Sequence, residues 1–151
     1  MDIFGTDIHS EVIQTAMKAT YTLTETSTDK MPRDWLDQAV TITKVKGHQA
    51  YSIRPELRKN VQFAVQDVRK GMPKGPFHMI SSRHAVFMYF DMEQRAKVLE
   101  RMLKILTPGG FLVTGANDRL PPNVSRRFLS ALIVLTFDVF LPHLVSVLAS
   151  L

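Results

Sequence analysis

Apolar residues along this chain fall into short runs whose spacing switches between two periods. Ile3 and Phe4 open the first run, which reads as a buried strand over 3–6 ending on Thr6-Asp7. Val12, Ile13, Ala16 and Met17 then recur at helical spacing over 9–18, with Ser10 as the expected N-cap and Glu11 in the first turn. Residues 20–30, rich in Thr, lack either period and read as a surface connection. Pro32 to Leu36 restarts a short helix, proline being tolerated in a first turn. Residues 40–45 and 50–53 alternate as a hairpin with Gly47 at its turn, and Pro55 opens a helical turn through Arg58.

Three further strands are expected at 61–65, 77–81 and 110–115. Between the last two lies a helix capped by Asp91, with Val98, Leu99, Met102, Leu103 and Leu106 as its apolar stripe, stopped at Thr107-Pro108. Strands alternating with helices predict an α/β protein with a parallel sheet.

The segment 128–151, FLSALIVLTFDVFLPHLVSVLASL, is almost wholly apolar and follows Arg126-Arg127. Its length is near the roughly 20 residues that span a bilayer. Asp138 and Pro142-His143 oppose that reading, since a central Asp costs about 2.5–3.5 kcal/mol on insertion. Three readings stay open: an apolar C-terminal core helix stopped before Pro142, a membrane anchor, or a shifted reading frame. The expected division is therefore a main domain over 1–120 and an apolar segment over 121–151.

Composition narrows this little. At 151 residues there is room for a single core of ordinary size. The net charge of +5 comes from scattered Lys and Arg, so no nucleic-acid footprint is expected. Without cysteine there is neither a disulfide framework nor a thiolate metal site, and no metal is expected. The N-terminus carries no basic and apolar leader pattern. The expected location is cytoplasmic, with membrane association through 128–151 as the alternative.

In an open parallel sheet ligands bind beyond the carboxyl ends of the strands. There this sequence delivers Asp7, Asp67, Ser82-Arg83 and Asn117-Asp118. A carboxylate at such a strand end suits ribose hydroxyls, which fits Asp7, while Asp67 could accept from the exocyclic amine of a base. The competing reading makes both residues caps of the turns behind them. For Arg83 the competing reading is a surface ion pair, and for Tyr89 a core aromatic.

Four stretches carry a family resemblance: FGTDI at 4–8, IRPELRKNVQFAVQDV at 53–68, FHMISSRHAVFMYFD at 77–91 and LTPGGFLVTGAND at 106–118. Together with MPRDWL at 31–36 they resemble the S-adenosylmethionine-binding domain of CheR-type methyltransferases over residues 2–120. The resemblance implies a Rossmann-like class I methyltransferase sheet and S-adenosylmethionine as cofactor. It implies methyl transfer to a carboxylate, of a protein glutamate or a small molecule. By the same matching Asp7 and Ile8 hold the ribose side, Asp67 and Val68 lie at the adenine, Ser82 is a further cofactor contact, and Arg83 and Tyr89 are the catalytic pair. An arginine fork can orient an acceptor carboxylate, and a tyrosine hydroxyl can orient either partner.

The chain departs from that family in three places. His84 stands where Asn is usual, and one extra residue separates Arg83 from Tyr89, as in a divergent branch. After Asn117 comes DRLPPNVSRR rather than a Ser-Glu stretch and a closing strand pair. Finally, the seven glycines, at 5, 47, 71, 75, 109, 110 and 115, never form Gly-x-Gly-x-x-Gly. The expectation is a domain beginning at its second strand, truncated before the first strand and its glycine loop, with an apolar sheet edge exposed. The alternative to an enzyme is thus a truncated, weak or inactive relative serving as an interaction protein, alone or as an oligomer.

Overall fold

Strand β1 (Asp2–Asp7) forms from the first apolar run and pairs in parallel with β5 (Val61–Val65), from Ile3 opposite Val61 to Asp7 opposite Val65. The computed structural model describes residues 1–22, 33–45, 48–83, 85–121, 133–137 and 146–150. Helix α1 (Ser10–Lys18) buries Ile13 and Ala16 on its apolar side. Its N-cap is His9 rather than Ser10. The Asp7 carboxylate accepts the His9 N–H at 2.8 Å and shapes that turn, while the Ser10 hydroxyl is turned to Glu11.

The hairpin is present as β3 (Val40–Val45) against β4 (His48–Ile53), its turn lying outside the described residues. Helix α2 (Arg33–Ala39) leads into it and α3 (Pro55–Arg58) leaves it. The Thr-rich connection contributes more than expected. Thr20–Thr22 is a strand, β2, paired antiparallel with β4 in a separate three-stranded sheet of order β2-β4-β3. Its Thr-Tyr-Thr sequence is β-branched and aromatic, which favours a pleated surface despite its brevity.

The core lies under the second half of the main sheet. Strand β6 (Phe77–Ser82) is followed by a one-turn helix α4 (Val86–Tyr89), then α5 (Met92–Ile105) and β7 (Leu106–Gly115). Phe77, Ile80, Val86, Phe87, Val98, Leu99, Met102 and Leu112 form the buried cluster. Asp91 caps α5 as its sequence predicts, its carboxylate accepting the Gln94 N–H at 2.8 Å. The Pro-Gly-Gly that follows is dictated by space and backbone angle. Gly109 has φ of 76°, and a Cβ on Gly110 would stand 2.9 Å from the Thr107 carbonyl oxygen.

Two expectations are corrected at the C-terminal end. Residues 133–137 and 146–150 are not part of an apolar helix but strands β8 (Ile133–Phe137) and β9 (Ser146–Ser150). Short runs of mostly apolar and small residues carry no period that separates a strand from a helix. The remainder of 122–151, including Asp138 and Pro142, lies outside the described residues. Among the described residues no helix is long and apolar enough to cross a membrane.

The second correction concerns the sheet edge. Strand order is β5-β1-β9-β6-β7-β8, with β7 parallel to both β6 and β8. β9 is antiparallel to β1 on one side and to β6 on the other, pairing Phe4 with Leu148 and Leu148 with Ile80. The inner edge of β1 is therefore covered. The last described strand sits in the centre of the sheet, beside the first.

Two outcomes follow for stability. Asp91→Ala removes the cap of α5 and should cost about 1 kcal/mol, read as a lower urea midpoint at unchanged slope. Leu148→Pro deletes a backbone donor from a strand paired on both sides, and should abolish the cooperative thermal transition in far-ultraviolet circular dichroism. A variant melting like the parent would show that β9 is dispensable.

Candidate functional site

The chain leaves β1 toward β5 on one side of the sheet and β6 toward β7 on the other, with β9 between the two halves. Such a reversal opens a crevice at the carboxyl ends of the flanking parallel strands. A cavity of about 410 Å³ occupies that place. Thr6, Asp7, Ile8 and His9 come to it from the end of β1, and Gln66, Asp67, Val68 and Arg69 from the end of β5. The Gln66 N–H donates to the Asp7 carbonyl at 2.8 Å, which ties the two strand ends together. Met72 and Pro73 add one wall, and Ile80, Ser81, Ala85, Val86, Tyr89, Phe90 and Met102 supply the rest.

Of the residues expected from sequence, Asp7, Ile8, Asp67, Val68 and Tyr89 line this cavity. Tyr89 is 75% exposed, so it stands at the mouth rather than in the core. Ser82 and Arg83 are not among the lining residues. At the end of β6 it is Ser81 that reaches the cavity, while Ser82 is wholly covered and in register with Thr114 of β7. His84 lies outside the described residues.

Sequence reasoning missed His9, Gln66, Ser81, Arg69 and Phe90. The first three adjoin strand ends and were within reach of the rule that placed Asp7 and Asp67. Arg69 needed the turn geometry, which no period announces.

The two carboxylates are held differently. Asp7 takes the His9 N–H on Oδ1, and no described residue donates to its other oxygen. Asp67 is engaged by its own turn: Oδ1 accepts from the Arg69 backbone N–H at 2.9 Å and from Nε at 2.8 Å, and Oδ2 accepts from Nη2 at 2.8 Å. The Arg69 side-chain bonds, helped by its backbone N–H and by the charges of Arg69 and Lys70, hold the Asp67 carboxyl below the usual carboxylate range against a smaller opposing effect of burial. The guanidinium lies 5.9 Å from the centroid of the Phe90 ring, within reach of a cation–π contact.

These carboxylate acceptors and apolar walls suit a nucleoside. A carboxylate at the cavity edge, with one oxygen that takes no hydrogen bond from the described residues, can accept from a ribose diol, and Val68, Met72, Phe90 and Ile80 offer apolar surface for a purine ring. The volume falls within the roughly 300–1,000 Å³ typical of small-molecule sites. Among the described residues no group of three acidic or histidine side chains is arranged to hold a metal ion.

A folded carboxyl value below the unfolded one contributes stability above about pH 4 that is lost as pH falls through the native value. Between pH 5 and pH 3 the parent should therefore lose more stability than Asp67→Asn, measured as the drop in urea midpoint of each.

Comparison with known proteins bears on this geometry. Residues 1–132 match the family model described as CheR methyltransferase, SAM binding domain. A chemotaxis protein methyltransferase of Campylobacter jejuni is 29% identical over 127 residues, covering 82% of this chain and 46% of that protein. One from Salmonella typhimurium is 29% identical over 130 residues, covering 83% and 43%. An uncharacterized 104.1 kDa protein of Rhodobacter capsulatus is 29% identical over 120 residues, 80% of this chain and 12% of its own length. The chain thus spans less than half the length of these curated relatives. With the family model matched over 1–132, the chain belongs to the CheR methyltransferase family, in its S-adenosylmethionine-binding domain.

Proposed function

We propose that this chain binds S-adenosylmethionine in the crevice between β1 and β6 and serves methyl transfer to a carboxylate oxygen of a protein side chain. The observation that carries the reading is Asp7: a carboxylate at the end of β1, oriented by the His9 N–H, with one oxygen left for a diol. Asp7 would accept both ribose hydroxyls, and Asp67 the exocyclic amine of the base. Val68, Met72 and Phe90 would keep water from the ring. The cofactor, when bound, supplies a methyl group on a cationic sulfur, so the protein needs close approach and orientation more than a strong base. Tyr89, exposed at the mouth, is suited to orient the acceptor. Arg83 is given no part in the cavity. Relatives named chemotaxis protein methyltransferases support a protein acceptor.

A second reading, a weakly active relative acting through protein contacts, draws on one observation. The centre of the sheet is filled by the antiparallel β9, which pairs with β1 on one side and β6 on the other.

Calorimetric titration with S-adenosylhomocysteine separates the two readings. Micromolar binding is expected, weakened about 10- to 100-fold by Asp7→Ala, the range of losing one or two charge-assisted hydrogen bonds. A folded parent that does not bind would leave only the second reading.

A further inference from the structure

The turn after β5 is built around a residue that the family resemblance does not mark. The Lys70 and Gly71 N–H groups both donate to the Asp67 carbonyl, at 2.9 and 3.2 Å. Arg101 of α5 reaches across and donates through Nη1 to the carbonyls of Val68 and Arg69. The backbone of the turn is thus fixed from two directions before the side chain of Arg69 is considered. That side chain then folds back onto Asp67 rather than into solvent, although Arg69 is 47% exposed and Asp67 only 12%.

Counting acceptor sites gives the consequence. A carboxylate oxygen offers two lone pairs. Oδ1 of Asp67 receives the Arg69 backbone N–H and Nε, which fills it. Among the described residues Oδ2 receives Nη2 alone, which leaves one acceptor position on a carboxylate that lines the cavity. The planar fork also fixes the plane of the carboxylate, because two parallel N–H···O bonds allow no rotation about its axis. On its other side the guanidinium lies over the Phe90 ring, itself a wall of the cavity.

Resting on the nucleoside-binding reading above, we infer that Arg69 is a positioning residue that reduces Asp67 to a fixed acceptor for one N–H, so that the site selects a 6-amino purine over a 6-oxo purine. The amino group of adenine can fill the remaining lone pair of Oδ2. The carbonyl oxygen of a 6-oxo purine in the same place meets an ionised acceptor with like partial charge. A freely rotating carboxylate could swing to another edge of the ring, and the selection would weaken. The ionised form favoured by Arg69 keeps Asp67 an acceptor at any pH near neutrality. Lysine cannot replace the fork, since an ammonium is a point charge without a fixed plane.

The test uses the intact chain and two probes, S-adenosylhomocysteine and its 6-oxo analogue S-inosylhomocysteine, titrated by calorimetry. The parent should prefer the amino form by at least about tenfold, the scale of one charge-assisted hydrogen bond. Arg69→Ala and Arg69→Lys should each bring that preference close to unity, with circular dichroism matching the parent. In an Asp67→Asn background Arg69→Ala should change nothing further, because Arg69 acts through that carboxylate. A preference undiminished in Arg69→Ala, or retained in full by Arg69→Lys, would overturn the inference while leaving nucleoside binding intact. Failure of the folded parent to bind either probe would overturn both.

Discussion

Everything in this protein hangs on how the backbone groups along the inner edges of β1 and β6 find partners. Those strands belong to two parallel ladders, β1 with β5 and β6 with β7, and neither ladder reaches the other directly. Unpaired N–H and C=O groups in the middle of a sheet are too costly to leave dry. β9 supplies both rows at once, antiparallel on each side. The spacing it imposes sets the width of the crevice above it, and with that the separation between the Asp7 turn and the wall formed by α4.

Within the crevice the chemistry is divided by strand. The β1 end offers a carboxylate with an open oxygen, whereas the β5 end offers one already committed to a guanidinium. The apolar side chains of α4 and α5 close the back, since Val86 and Met102 belong both to the hydrophobic core and to the cavity wall. Site and core therefore share residues. A cavity-forming change at either position would loosen the site together with the fold.

The legible part of the sequence was the part with period and punctuation. Val98, Leu99 and Met102 announced α5 and its buried side, and Asp91 announced its start. Asp7 and Asp67 line the cavity, as their places at the carboxyl ends of parallel strands led one to expect. What failed was 133–137 and 146–150, where apolar residues are interrupted only by Thr136, Ser146 and Ser150 and no regular face is distinguished. Of the neighbouring serines at the end of β6, Ser81 lines the cavity and Ser82 is wholly covered, a difference that no pattern in the sequence marks. Arg69 was invisible for another reason: an ion pair across two residues depends on turn geometry, and a charged residue in a loop carries no pattern.

The pairing of Asp2 with Ser150 sets the order in which the molecule can be built. As the chain leaves the ribosome, β1 finds β5 after some sixty residues, and β6 with α5 and β7 can assemble as a second unit. The two units share no backbone ladder until β9 has paired with both. The double ladder of β9 is what completes the sheet between them. Each newly made molecule thus passes a stage in which the facing edges of β1 and β6 are both bare. That stage, rather than the finished fold, is where a second copy or a chaperone has its opportunity to pair with the chain.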